Sequence, residues 1–223
     1  MKTNIITITF LFLMIATIGK AQETEEMSMD STKKEGFAVQ SVNLTMGYYS
    51  PGMDYWNDTY LPAKGLSETF GGNPVFGVNI TFSLPAALRA RVGASIWSGK
   101  VNGKQGSTVD GLKIGFTRFN LGLFYAPEAI SFADFQPYIG VEGFVNLISN
   151  EYDIDNTTVT QSGQDMSFAP VFGIDRAFGS LNLGIEAKYN MGNYIQEETF
   201  VETLEHEVSI NGAEVSLTIG YKF

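Results

Sequence analysis

The 223-residue chain carries 24 Asp+Glu against 14 Lys+Arg, a formal charge of −10, with no cysteine, 24 glycines and a mean hydropathy of +0.02. That hydropathy excludes a disordered acidic polymer, and beyond the N-terminus no apolar run reaches the ~18–20 residues a membrane helix needs. The acidic balance argues against nucleic acid as a partner, because phosphate backbones attract clustered Lys and Arg. Charged residues are 17% of the chain against about 25% in an ordinary soluble domain, so charge has been exchanged for Gly, Ser, Thr and Asn.

The N-terminus opens with Lys2, an uncharged apolar stretch from Ile5 to Ile18, and the small residues Gly19 and Ala21 before Gln22. This is the layout of a secretory signal peptide over residues 1–21. The cut offers no cysteine to acylate, and without cysteines an oxidising compartment adds no disulfide. Residues 22–36, QETEEMSMDSTKKEG, have no apolar periodicity and read as a disordered lead-in. A single domain is expected over residues 37–223.

From Phe37 onward the chain alternates apolar and polar residues in segments of about ten, the period of a strand with two unlike faces. The first segment sets Val42, Leu44, Met46 and Tyr48 against Ser41, Asn43 and Thr45. The second sets Phe76, Val78, Ile80, Phe82 and Leu84 against Gly77, Asn79, Thr81 and Ser83, and the third sets Leu88, Ala90, Val92, Ala94 and Ile96 against Arg89, Arg91, Gly93 and Ser95. The fourth, Leu112 to Tyr125, changes apolar phase near Thr117, which predicts either a bulge or an end protruding beyond the membrane. The fifth opposes Ile139, Val141, Val145 and Leu147 to Tyr138, Gly140, Glu142 and Asn146. The sixth, Ser167 to Ala177, contains Pro170, which cannot donate to a ladder and predicts a strand end or distortion. The seventh alternates Leu181, Leu183, Ile185, Ala187 and Tyr189 with Asn182, Gly184, Glu186 and Lys188. The eighth runs Ala213, Val215, Leu217, Ile219, Tyr221 and Phe223 against Glu214, Ser216, Thr218 and Lys222.

Connections after the second and sixth segments are tight, and the one after the fourth is intermediate. Those after the first, third, fifth and seventh are long: Ser50 to Asn73, Lys100 to Gly111, Ser149 to Met166, and Met191 to Glu207. An even number of antiparallel strands with short turns at one end and long loops at the other predicts an all-β fold, an eight-stranded up-and-down transmembrane β-barrel. An eight-stranded barrel is only just wide enough inside for side chains, so the small polar set belongs in the lumen and the bulky apolar set outside. The inward set carries charges of both signs: Arg89, Arg91, Lys188 and Lys222 beside Glu142, Asp175, Glu186 and Glu214, with Arg118 added if the fourth strand keeps that phase. Because a buried ion is costly unless paired, this set predicts a salt-bridge network. Arg89, Asp175 and Lys222 are expected in one layer, Glu142, Glu186 and Lys188 in another, with Glu214 nearer the long loops.

At the C-terminus Val215, Leu217, Ile219, Tyr221 and Phe223 alternate up to a terminal aromatic. With the signal peptide and phrases such as QPYIGVEGFVNL and LNLGIEAKYN, the chain resembles the outer-membrane β-barrel superfamily that includes small eight-stranded bacterial proteins. The resemblance implies an assembly signal in those five residues that the barrel-assembly machinery reads. It also implies location in the outer membrane of a Gram-negative bacterium, with outer-membrane lipid and lipopolysaccharide as surroundings. It selects no activity, since that superfamily mixes anchors, adhesins, small-molecule conduits and a few lipid enzymes.

His206, the only histidine, lies in ETLEHEVSI near Ser209, between Glu205 and Glu207. Some small barrels are lipid A-modifying enzymes with a His-Ser set near this rim, but positions 206 and 209 fall on opposite faces of a strand. Glu151, Asp153, Asp155 and Asn156 in NEYDIDNTT offer oxygen ligands of the kind Ca²⁺ prefers, without an EF-hand's glycine and distant glutamate. Glu197, Glu198, Glu202, Glu205 and Glu207 make a second acidic loop. The first long loop presents Tyr55, Trp56 and Tyr60, with Phe70, as candidates for contact with an extracellular partner, or as rings folded over the barrel mouth. The reading drawn from the sequence is a non-catalytic surface or structural barrel with a plugged, charge-filled lumen and interacting long loops, needing no cofactor or metal. The alternatives are a conduit for small hydrophobic molecules through the wall near Pro170 and a lipid A-modifying enzyme.

Overall fold

The computed structural model describes residues 37–103, 110–154, 157–196 and 205–223; the expected signal peptide and lead-in lie outside them. Among the described residues there are ten strands: β1 (Ala38–Pro51), β2 (Asn73–Leu84), β3 (Leu88–Asn102), β4 (Gly111–Tyr125), β5 (Phe135–Ile154), β6 (Thr157–Phe178), β7 (Leu181–Asn190), β8 (Asn193–Gln196), β9 (His206–Ser209) and β10 (Gly212–Lys222). Eight of them close an antiparallel barrel in the order β1-β10-β7-β6-β5-β4-β3-β2, and β8 and β9 form a separate two-stranded sheet. Each barrel strand pairs with its neighbour along the chain, and β1 shuts the ring by pairing with β10 from Ser41↔Lys222 to Pro51↔Gly212.

The pleat sorts the side chains as the sequence pattern requires. Ser41, Asn43, Asn79, Thr81, Asn146, Asn182 and Ser216 are buried in the lumen, whereas Leu44, Leu121, Ile139, Phe172, Ile185 and Leu217 are exposed on the outer wall. In water such an exterior would be an aggregation site, and in a bilayer it faces acyl chains at no such cost. Inside, small polar groups satisfy one another: Asn43 Nδ2 donates to Ser41 Oγ and Asn79 Oδ1, both at 2.9 Å. Tyr138 is accommodated because its cross-strand neighbour is Gly173, where a Cβ would overlap the phenol ring.

The structure corrects one expectation and decides between the alternatives of two others. β4 contains no bulge, since its ladders with β3 and β5 run in continuous register from Gly111 to Tyr125. Its even-numbered residues point inward throughout, and the phase change is a change of interior, from Phe124, Gly122 and Arg118 in the lumen to Phe116, Ile114 and Leu112 in the protruding end. The segment expected as a long loop from Ser149 to Met166 is mostly strand: β5 and β6 are 20 and 22 residues long and stay paired out to Ile154↔Thr157. A bilayer needs only about 9–11 tilted residues, so roughly half of this hairpin stands clear of the membrane. Pro170 accordingly lies inside β6, not at its end, and the β6–β7 ladder stops beside it at Val171↔Lys188, with an isolated bridge at Phe168↔Met191 beyond. Finally, the connection after β7 contains β8 and β9, and the first long loop folds a π-helical turn, Tyr55–Tyr60, running into one α-helical turn, Leu61–Ala63.

Candidate functional site

The lumen holds the densest chemistry among the described residues. Odd-numbered β3, even-numbered β4, β5, β7 and β10, and odd-numbered β6 all project inward, so charges far apart in sequence meet across the ring. Arg91 Nη1 lies 2.6 Å from Glu186 Oε2 and 3.3 Å from Glu142 Oε1. Lys188 Nζ reaches Glu142 at 2.9 Å, Glu186 at 3.2 Å and Glu214 at 3.5 Å. Arg118 Nη2 lies 2.9 Å from Glu214 Oε2, both side chains being under 5% exposed. Three cations and three carboxylates thus form one balanced cluster. Neutral groups add to it: Tyr138 Oη donates to Glu186 at 2.9 Å, Asn120 Nδ2 to Glu142 at 2.9 Å and Asn190 Nδ2 to Glu214 at 3.2 Å. Rings cover the cation faces, with the Arg91 guanidinium 4.3 Å from the Phe124 centroid and the Arg118 guanidinium 4.9 Å from that of Tyr49.

Toward the short turns Arg89 pairs with Asp175 at 2.6 Å. Lys222 lines the same vestibule, a polar cavity of about 520 Å³ that also meets Gln136, Asn182 and Thr218. Of the eight inward charges singled out in the sequence, Glu142, Glu186 and Lys188 meet at one level, joined by Arg91 and by Glu214. Arg89, Asp175 and Lys222 gather below it. Arg118 was conditional on the phase of β4 and is central. Its signal lay in the even-numbered positions of β4, masked by the apolar residues that take those positions further out.

Toward the long loops the interior becomes apolar. Trp56 and Tyr60 are fully buried and Tyr55 nearly so, packed with Leu61, Phe70, Trp97, Phe116, Tyr152, Tyr194, Val208 and Ile210. As candidates for direct contact with a partner, Tyr55, Trp56 and Tyr60 are therefore corrected: above the bilayer the outer wall meets water, so bulky apolar side chains turn inward and the loop folds over the mouth. Trp56 Nε1 donates to Tyr194 Oη at 2.6 Å, and Trp97 Nε1 donates to the Tyr49 carbonyl at 3.1 Å. Burial raises the Tyr152 and Tyr194 phenols above their ordinary range, so both stay neutral across physiological pH.

The remaining candidates are engaged otherwise. His206, in β9, stacks on Tyr55 with ring centroids 4.1 Å apart, and Ser209 Oγ accepts from the Asn211 N–H at 3.3 Å. Glu151 pairs with Lys113 at 3.1 Å, and Asp153 with Lys100 at 3.8 Å while accepting from Thr158 Oγ1 at 2.8 Å, so these carboxylates face lysines and not a common cation position. Asp155, Asn156, Glu197, Glu198 and Glu202 lie outside the described residues. At the C-terminus Val215, Leu217, Ile219, Tyr221 and Phe223 share the exposed outer face, with Tyr221 and Phe223 edge to face at 5.0 Å.

No family model matches the sequence, and no curated protein matches it. Solved structures do resemble the fold. A major outer membrane protein from Thermus thermophilus is similar at a TM-score of 0.52 with 10% identity, over 82% of this chain and 99% of that one. Neisserial surface protein A gives 0.48 with 14% identity over 85% and 100% of the two chains. The attachment invasion locus protein of Yersinia pestis gives 0.48 with 11% identity over 85% and 99%. At these identities the likeness concerns the fold. Together with the closed ring and the apolar outer wall, it shows the chain to be an eight-stranded antiparallel β-barrel of the membrane-spanning kind.

Proposed function

We propose that the protein is a non-catalytic surface or structural barrel that passes no solute through its lumen and works through its outer loops and the protruding β5–β6 hairpin. The observation that carries this reading is the six-charge cluster of Arg91, Arg118, Lys188, Glu142, Glu186 and Glu214 spanning the barrel at mid-height. Each ion there has at least one opposite charge within 3.5 Å, so opening a water path means separating several pairs at once. Lipid and lipopolysaccharide surround the wall, the barrel-assembly machinery reads the last strand during biogenesis, and the extracellular partner is unidentified. Planar-bilayer recording tests the reading: the purified protein gives no steady single-channel current, and a reproducible conductance step overturns it.

A conduit through the wall is the second reading, favoured by the interruption of the β6–β7 ladder at Ala169 and Pro170. Vesicles containing the protein would then take up a small hydrophobic dye faster than protein-free vesicles. Equal rates favour the closed barrel.

A further inference from the structure

The outer wall carries one cation with an unusual setting. In β6, Asp175 points into the lumen toward Arg89, so its neighbour Arg176 points out, between Phe135 on β5 and Leu183 on β7. The surrounding outer wall is apolar: Phe172, Phe178, Leu181 and Leu183 are all exposed. The Arg176 guanidinium lies 5.0 Å from the Phe135 centroid and 4.6 Å from that of Phe178. Its Nε is buried and makes no hydrogen bond among the described residues. Its carboxylate partner among them is Asp134, at 3.2 Å, which is 79% exposed and sits in a tight turn with φ +67°.

Depth decides what such an arginine meets. Arg176 is two residues from Phe178, the end of β6 before the turn at Gly179, which at about 3.3 Å per residue puts it roughly 7 Å from the strand end. Outward-facing Phe132, Phe135, Phe178, Tyr125 and Tyr221 occupy the same rim, the level where aromatic rings mark the boundary of hydrocarbon and headgroups. A guanidinium held against two rings at that level presents its free edge to headgroups and keeps its stem in acyl chains. A planar fork of donors suits phosphate oxygens, and an exposed surface pair such as Arg176–Asp134 contributes little that would compete.

We propose that Arg176, framed by Phe135 and Phe178, is a phospholipid-phosphate site on the outer wall at the short-turn end of the barrel. The site is independent of the closed-lumen reading, because it concerns the face turned away from the lumen. Native mass spectrometry of the full-length protein released from micelles containing phosphatidylglycerol tests it, with diacylglycerol, which lacks the phosphate, as reference. Wild type retains phosphatidylglycerol in preference to diacylglycerol. Arg176→Leu lowers that retention by about fivefold, the gain of one basic side chain at an anionic surface. Arg176→Lys keeps an intermediate level, because the charge remains and the fork is lost. Asp134→Asn retains at least as much as wild type, since only the competing carboxylate is removed. Heat-modifiable electrophoretic migration checks that each variant forms the barrel. Equal retention by folded wild type and Arg176→Leu overturns the proposal. So does a loss in Asp134→Asn as large as that in Arg176→Leu, which would assign the effect to the turn.

Discussion

Arg118 shows how much one buried side chain carries. It donates to Glu214 at 2.9 Å and to Ser95 Oγ at 3.1 Å, and lies between the rings of Tyr49 and Phe144. Arg118→Met removes the cation and leaves Glu214 with Lys188 at 3.5 Å, so a carboxylate stays buried and under-compensated. Breaking a buried pair from one side costs about 3–5 kcal/mol, whereas replacing both partners with apolar groups of similar volume is often close to neutral. Urea unfolding in lipid vesicles should therefore find Arg118→Met destabilised by about 3 kcal/mol and the Arg118→Met/Glu214→Leu double variant less destabilised than the single one. Equal losses in the two would place the cost in packing against Tyr49 and Phe144 instead of in charge. Most of this cluster was legible in the sequence because Arg91, Glu142, Glu186, Lys188 and Glu214 stand at polar positions inside alternating strands, where parity alone assigns the face. Arg118 was less legible, because parity was inferred from apolar residues and those change sides within β4. The partners were beyond reach: which carboxylate meets which cation depends on register between strands far apart in sequence.

At the level of elements the sequence misleads where one strand passes through two solvents. In β4 and β5, Phe119, Leu121, Val145 and Leu147 are apolar because lipid lies outside, and Leu112, Ile114, Ile148 and Tyr152 because water does. An alternation rule tied to a single environment cannot tell that exchange from a bulge, and it reads the polar outer half of β6 as a loop. The aromatic loop was similarly ambiguous, since Tyr55, Trp56 and Tyr60 serve equally as a contact surface or as a mouth filling until the protruding strands give them walls to pack on. Turns are set more locally. Between β2 and β3, Ala86 and Ala87 have φ of 61° and 59°, the geometry of a tight hairpin turn that Asn-Gly fills with least strain. A left-handed conformation costs a side-chain-bearing residue about 1–2 kcal/mol, so Ala87→Gly should raise stability by about 1 kcal/mol. Denaturant midpoints of the two proteins check this; a lowered midpoint would mean that the looser unfolded chain outweighs the relieved strain.

For the whole molecule, the interior is organised along the axis into a polar vestibule at the short-turn end, a balanced charge cluster at mid-height and an aromatic filling at the mouth. On the closed-lumen reading proposed above, the last two obstruct the same path by different physics. Separating the ions costs desolvation that added salt barely screens, because both members of a pair such as Arg118–Glu214 are buried. Displacing the rings costs the apolar area that Trp56, Tyr60 and Tyr194 bury against one another. Obstructions in series predict that removing either leaves the barrel closed. Trp56→Ala/Tyr60→Ala strips the mouth and leaves the ion cluster. Arg118→Ser/Lys188→Ser/Glu142→Ser/Glu214→Ser thins the cluster without changing net charge and leaves the mouth. In planar bilayers neither set alone should give a steady current, and the two combined should conduct in small steps. Conduction by the aromatic variant alone would mean that the charge cluster is a permeable, hydrated constriction and that closure resides at the mouth.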